Sequence, residues 1–161
     1  MKKVSIALAI LLASSGLTFA QNTETTDKEY PVRAVQVSFI PPLSTNGIES
    51  GKYINRLSFN ALGGVARGLD GAEFSGIFAV ERSNVRGAQF AGITNVVGGS
   101  VKGIQYGGIV NVVGQEVTGV QFAGHVNVVG KSIDGAQFAG IANVAGGELE
   151  GAQFAGIANV A

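Results

Sequence analysis

Glycine recurs at positions 71, 87, 103, 119, 135 and 151, a spacing of 16 residues, and the segments between these glycines are near-copies of one another. They read GAQFAGITNVVGGSVK, GIQYGGIVNVVGQEVT, GVQFAGHVNVVGKSID and GAQFAGIANVAGGELE, followed by GAQFAGIANVA. The segment from Gly71, GAEFSGIFAVERSNVR, is a diverged first copy, and Leu57–Asp70 is a weaker and shorter one. A fixed period restricts a chain to array architectures, in which each unit buries its apolar surface against the next. No stretch carries apolar residues at helical spacing over two turns, so the array is all-β.

With each unit numbered from its glycine, the columns of the array are nearly invariant. Position 3 is Gln89, Gln105, Gln121, Gln137 and Gln153; position 4 is Phe90, Tyr106, Phe122, Phe138 and Phe154. Position 6 is glycine, position 7 is isoleucine except at His125, and position 9 is Asn95, Asn111, Asn127, Asn143 and Asn159. Position 10 is valine and position 15 is Val101, Val117, Ile133 or Leu149, while most charges sit at positions 13, 14 and 16. Side chains of a straight strand alternate between faces, so even positions 4 and 10 cannot share a face with odd positions 7 and 15 unless the chain bends. Glycine at position 6 supplies such a corner. The pattern predicts a β-solenoid of 16-residue coils, with strands at positions 2–5 and 7–11 and turns at the glycines of positions 12 and 1. The aromatic, isoleucine and valine columns would fill one core. The glutamine and asparagine columns would stack as structural ladders whose amides bond along the column.

A second architecture fits the same text. An outer-membrane up-and-down β-barrel would use one strand of about ten residues per unit, within the 9–11 that a membrane strand needs. Positions 2, 4, 6, 8 and 10 would then face lipid and the amides of positions 3 and 9 the lumen. Barrels alternate short turns with long loops, whereas these linkers have equal length and keep an apolar residue at position 15. Both features favour parallel coils, and the barrel or pore stays as the alternative.

The array is preceded by other segments. Lys2 and Lys3, the apolar run Val4–Leu12 and the small-x-small triplet Thr18-Phe19-Ala20 make residues 1–20 a secretory signal peptide, cut before Gln21. Its apolar core is too short for a membrane span of about 20 residues. Residues 21–34 read as a flexible tether, and residues 35–70 as N-terminal strands (Val35, Val37 and Phe39; Leu57, Phe59 and Ala61) with a degenerate first coil. Residues 71–161 form the repeat array, and a stop at position 11 of a consensus unit reads as truncation, or as an uncapped coil open to self-association. These features predict export across the inner membrane, to the cell surface, outer membrane or periplasm.

Few residues here carry chemistry. The 161 residues include no cysteine and one histidine, which leaves no thiolate metal site and no thiol nucleophile. Losing the leader removes Lys2 and Lys3 from the 11 basic residues, leaving 9 against 11 acidic ones, so no basic face for nucleic acid is expected. Gly63-Gly64-Val65-Ala66-Arg67-Gly68 lacks the lysine of a phosphate loop. His125 replaces an apolar residue, and Asp134, Glu148 and Glu150 read as a solvated edge rather than a calcium site. No catalytic, metal or cofactor site is predicted, and the partner is unknown beyond an envelope or surface component.

The units GIQYGGIVNVVG and GVQFAGHVNVVG, with Ile40–Gly47 and Leu57–Asn60 before them, resemble bacterial secreted surface repeat-containing proteins, a family of short glycine, glutamine, phenylalanine and asparagine repeats. The resemblance spans about Val35–Ala161 and departs at Glu73 and Ala79 of the first unit. It implies export and surface exposure, and brings no catalytic residues. The expected function is a non-enzymatic structural or adhesive element of the envelope. A membrane barrel is the alternative, and a glycan- or ice-binding solenoid a third reading.

Overall fold

The computed structural model describes residues 30–161, so the leader at 1–20 and residues 21–29 of the tether lie outside the described residues. The chain is a β-solenoid of about seven coils of roughly 16 residues. One sheet holds β1 (Val32–Ile40), β2 (Leu43–Ser44), β3 (Ile54–Asn60), β5 (Gly68–Ser75), β7 (Val85–Ala91), β9 (Val101–Gly107), β11 (Val117–Ala123), β13 (Ile133–Ala139) and β15 (Leu149–Ala155). The other holds β4 (Gly63–Ala66), β6 (Phe78–Glu81), β8 (Thr94–Val97), β10 (Val110–Val113), β12 (Val126–Val129), β14 (Ala142–Ala145) and β16 (Ala158–Val160). From β5 onward each coil contributes one seven- or eight-residue strand to the first sheet and a three- or four-residue strand to the second.

Neighbouring coils pair in parallel and in register, each residue opposite its own copy. Gln105 faces Gln89 on one side and Gln121 on the other, and Asn111 lies likewise between Asn95 and Asn127. The one antiparallel pair among the described residues is β1 with β2. The barrel alternative needs consecutive units to run in opposite directions, and this register excludes it.

Two sequence expectations are corrected. The long strand runs from position 15 through position 5, so the turn is confined to positions 12–14, and the glycine of position 1 lies within the strand. Continuous alternation then sends positions 15, 3 and 5 inward and positions 16, 2 and 4 outward. The aromatic column is therefore outside: Tyr106 is 51% exposed and Phe122 39%. The isoleucines of position 7 stand exposed at the corner, as does His125. The apolar core is narrower than expected, built from Leu69, Val85, Val101, Val117 and Ile133 of position 15 against Val97, Val113, Val129 and Ala145 of position 11. The valines of position 10 lie on the outer face of the second sheet, where Val128 packs with Val126 apart from that core. A smaller correction concerns the tether, whose last residues, 32–34, belong to β1.

Two glycine columns make this spacing attainable. At position 1, φ lies between 118° and 154°, a region side chains avoid, and a Cβ on Gly103 would sit 2.0 Å from the Gly87 carbonyl oxygen. At position 6 the backbone is unremarkable, yet a Cβ on Gly124 would sit 2.1 Å from the carbonyl oxygen of Gly108. The corner glycine is thus needed for close approach of successive coils rather than for its dihedral freedom. The N-terminal end is closed differently. β2 folds back on β1, and the 3-10 turn Gly47–Lys52 follows it.

Gly124→Ala should lower stability by at least about 3 kcal/mol, because backbone must move in two coils. Gly47→Ala, at a positive φ of 59° with nothing within 4 Å of its Cβ, should cost only about 1 kcal/mol. Urea unfolding of the two variants tests this difference.

Candidate functional site

Outward and inward faces of the first sheet offer different chemistry. Inside, the position-3 amides form one hydrogen-bonded line: Nε2 of Gln153 donates to Oε1 of Gln137, which donates to Gln121, then Gln105, then Gln89, at 2.7–2.8 Å. The line ends where Gln89 donates to Glu73 at 2.8 Å. The asparagine line runs the other way. Nδ2 of Asn95 donates to Asn111, Asn111 to Asn127, Asn127 to Asn143 and Asn143 to Asn159, at 2.8–2.9 Å. Each of these donors also reaches a position-4 carbonyl one coil on, Tyr106, Phe122, Phe138 or Phe154 in turn, which ties the second sheet to the corner of the first. Apart from half-buried Gln153 and exposed Asn159, these amides are fully buried.

The first coil breaks the pattern with four substitutions on inward positions: Glu73 for glutamine, Ser75 for alanine, Ala79 for asparagine and Glu81 for valine. Glu73 accepts from Gln89 and from Asn60 Nδ2, each at 2.8 Å. Both oxygens of Glu81, and Oδ1 of Asn95 at the head of the asparagine line, have no donor. Burial pushes the Glu73 carboxyl above its ordinary range, offset in part by donors including Gln89, Glu81 and Asn60. Burial pushes Glu81 much further, and the charge of Glu73 adds to the rise. A proton on Glu81, given to Glu73, satisfies the geometry that two ionised groups would not. The pair is 0–1% exposed and so is closed to any substrate. No group of three histidine, cysteine, aspartate or glutamate side chains that could hold a metal occurs among the described residues.

Outside, the aromatic column forms a rib. Phe59, Phe74 and Phe90 stack at 5.6 and 5.2 Å between centroids, and Phe122, Phe138 and Phe154 at 5.0 and 5.1 Å. Exposed Tyr106 separates the two runs. Ring planes differ by 4–13°, so the rings are covered by one another and present their edges outward. A shallow trench follows the rib, floored by small residues such as Ala91, Gly92, Ala123 and Gly124.

The fifteen ladder residues named from the sequence thus lie in register with their copies, the amides inside and hydrogen-bonded, the aromatics outside and stacked ring on ring except at Tyr106. Sequence reasoning missed Glu81 and the N-terminal polar residues Gln36, Asn55 and Asn60, all buried. Gln36 Oε1 accepts from Asn55 at 2.8 Å, and Asn60 bonds Glu73. Only Glu81 left a visible signal, a charge in an otherwise apolar column. No family model, curated protein or solved structure matches the chain.

Two measurements test the interior. Asn111→Leu removes an acceptor from Asn95, a donor from Asn127 and the bond to the Phe122 carbonyl, and should cost about 2–4 kcal/mol in urea unfolding. Exposed Asn159, changed to alanine, should cost under about 1 kcal/mol. The carboxyl pair sets an unusual pH dependence. Because both folded-state values are raised, stability is full below the ordinary carboxylate range and falls as pH rises through the raised values. The urea midpoint should therefore drop as pH rises above the ordinary carboxylate range, and Glu81→Val should flatten the profile while raising stability at neutral pH by about 1–3 kcal/mol.

Proposed function

We propose that the protein is an exported, non-enzymatic structural or adhesive element of the bacterial envelope, and that its contact surface is the aromatic face of the first sheet. The observation that carries this reading is the rib itself. Seven parallel strands, β3 to β15, at about 4.8 Å give a ridge about 29 Å long, uncharged in both its aromatic column and the adjacent column of Ala88, Ile104 and Val120. An exposed apolar surface of that extent on a stiff scaffold marks a site of association. The buried ladders make the scaffold stiff, since every inward amide is held by its neighbours. The leader and the repeat resemblance support export.

A glycan platform fits less well, because sugars stack on ring faces and these faces are already paired. A threonine-based ice face has one threonine, Thr94, in its column.

Expressed in a bacterium, the full chain should be cut after Ala20 and recovered with the envelope. Replacing Phe122, Phe138 and Phe154 together by serine should reduce retention on isolated envelopes by about tenfold with the fold unchanged by circular dichroism. An uncut cytoplasmic chain would refute export, and undiminished retention would refute the role of the rib.

A further inference from the structure

We infer that the aromatic face of the first sheet pairs with the same face of a second copy, in an antiparallel two-fold dimer centred on Thr118. This deepens the contact-surface reading by naming a partner, and it is tested on purified chain, so it stands or falls separately from export.

The argument begins with the one charged column on that face. Position 16 reads Arg86, Lys102, Thr118, Asp134 and Glu150 along β7 to β15, all exposed. Arg86 lies opposite Lys102 in the strand register, and Asp134 opposite Glu150. Like charges directly opposite on neighbouring strands are destabilising. Among the described residues no ion pair relieves them: the one ion pair there is Lys52–Glu49, and Asp70, opposite Arg86 in the register, forms no salt bridge with it. Two basic residues followed by two acidic ones, balanced about a neutral centre, form a self-complementary pattern.

A two-fold axis in the plane of the face, along β11, reverses the solenoid axis and keeps each column over itself. Lys102 then meets the partner's Asp134 and Arg86 meets the partner's Glu150, so all four charges find opposite partners. The same operation lays Phe122 over the partner's Phe122 and Tyr106 over the partner's Phe138. Other registers do worse: an axis midway between β11 and β13 pairs Lys102 with the partner's Glu150 but sets Asp134 against the uncharged Thr118. Centring on Lys102 sets that residue against itself and Asp70 against the partner's Asp134, and centring on Asp134 sets Asp134 against itself. An axis midway between β9 and β11 brings Asp70 to the partner's Glu150. Such an interface is isologous, as two-fold contacts must be. Five strands at about 4.8 Å and five residues at about 3.4 Å give a footprint of about 400 Å² per copy. Over both copies that is about 800 Å², below the roughly 1,200 Å² at which stable specific interfaces begin, so the dimer is a weak, transient one that forms at about micromolar concentrations or above.

Sedimentation equilibrium of the purified chain at about 100 µM tests the pairing through two complementary variants. Arg86→Glu with Lys102→Glu makes the column wholly acidic, and Asp134→Lys with Glu150→Lys makes it wholly basic apart from Thr118. Each variant alone should lose dimerisation by at least about tenfold, and an equimolar mixture should form a heterodimer at least as tight as the parent dimer. Since the chain has no cysteine, Thr118→Cys provides a second reading. It should form a disulfide-linked dimer on oxidation, and Lys102→Cys should not. A monomeric parent chain, dimerisation undiminished in both charge variants, or equal cross-linking at both cysteines would overturn the proposal.

Discussion

Every feature of this molecule depends on one spacing: a coil of one repeat places each inward amide about 4.8 Å from its own copy. At that distance a carboxamide can donate to the copy on one side and accept from the copy on the other, as Gln121 does with Gln105 and Gln137. A buried polar group is costly when unpaired and close to neutral when paired. Register therefore converts an interior that would be unfavourable for one coil into a cooperative spine. Slipping one coil by a residue would expose the amides and leave their neighbours unpaired, which fixes the stacking as strongly as an apolar core would.

That solution decides what lies outside. The interior between the sheets is occupied by amides, alanines and a narrow valine seam, and the long strand alternates without interruption from position 15 to position 5. The aromatics of position 4 have only the outer face left. They are stable there because, on either side of Tyr106, each phenylalanine ring covers the next at 5.0–5.6 Å, so much of their apolar area is removed from water by the array rather than by a core. The glycines of positions 1 and 6 serve the same end, since a methyl at either would drive successive coils apart.

The period, the parallel register and the existence of both amide ladders were legible in the sequence, because identical residues at identical offsets stack on themselves in any in-register solenoid. Which way each column faced was not legible. Hydrophobicity argued for aromatics inside, parity was met by a corner at position 6, and the glycine of position 1, such as Gly103 or Gly119, was read as a turn residue although it is a strand residue with positive φ. The barrel alternative had the facing right, with even positions outward, and the connectivity wrong. Glu81 escaped notice because a carboxylate in a first, diverged unit reads as a surface charge. Only the three-dimensional register shows it under the spine, against Glu73. Gln36, Asn55 and Asn60 lie outside the periodic region, so no repeat announced their burial.

The diverged first coil is where two hydrogen-bond directions meet. Glutamine donors point toward the N-terminal end and converge on Glu73, while the asparagine line points away and leaves Asn95 Oδ1 as its unmatched head. An acceptor-only group is the natural terminus for a line of donors, so a carboxylate at position 3 completes the glutamine spine better than a sixth amide would. It also accepts from Asn60, which links the spine to the N-terminal cap through Gln36. A charge buried there needs compensation, and with no cation in contact the available one is a proton held by the neighbouring acid. Glu81 thus follows from Glu73, Glu73 from the direction of the amide line, and that direction from the shared register of the coils.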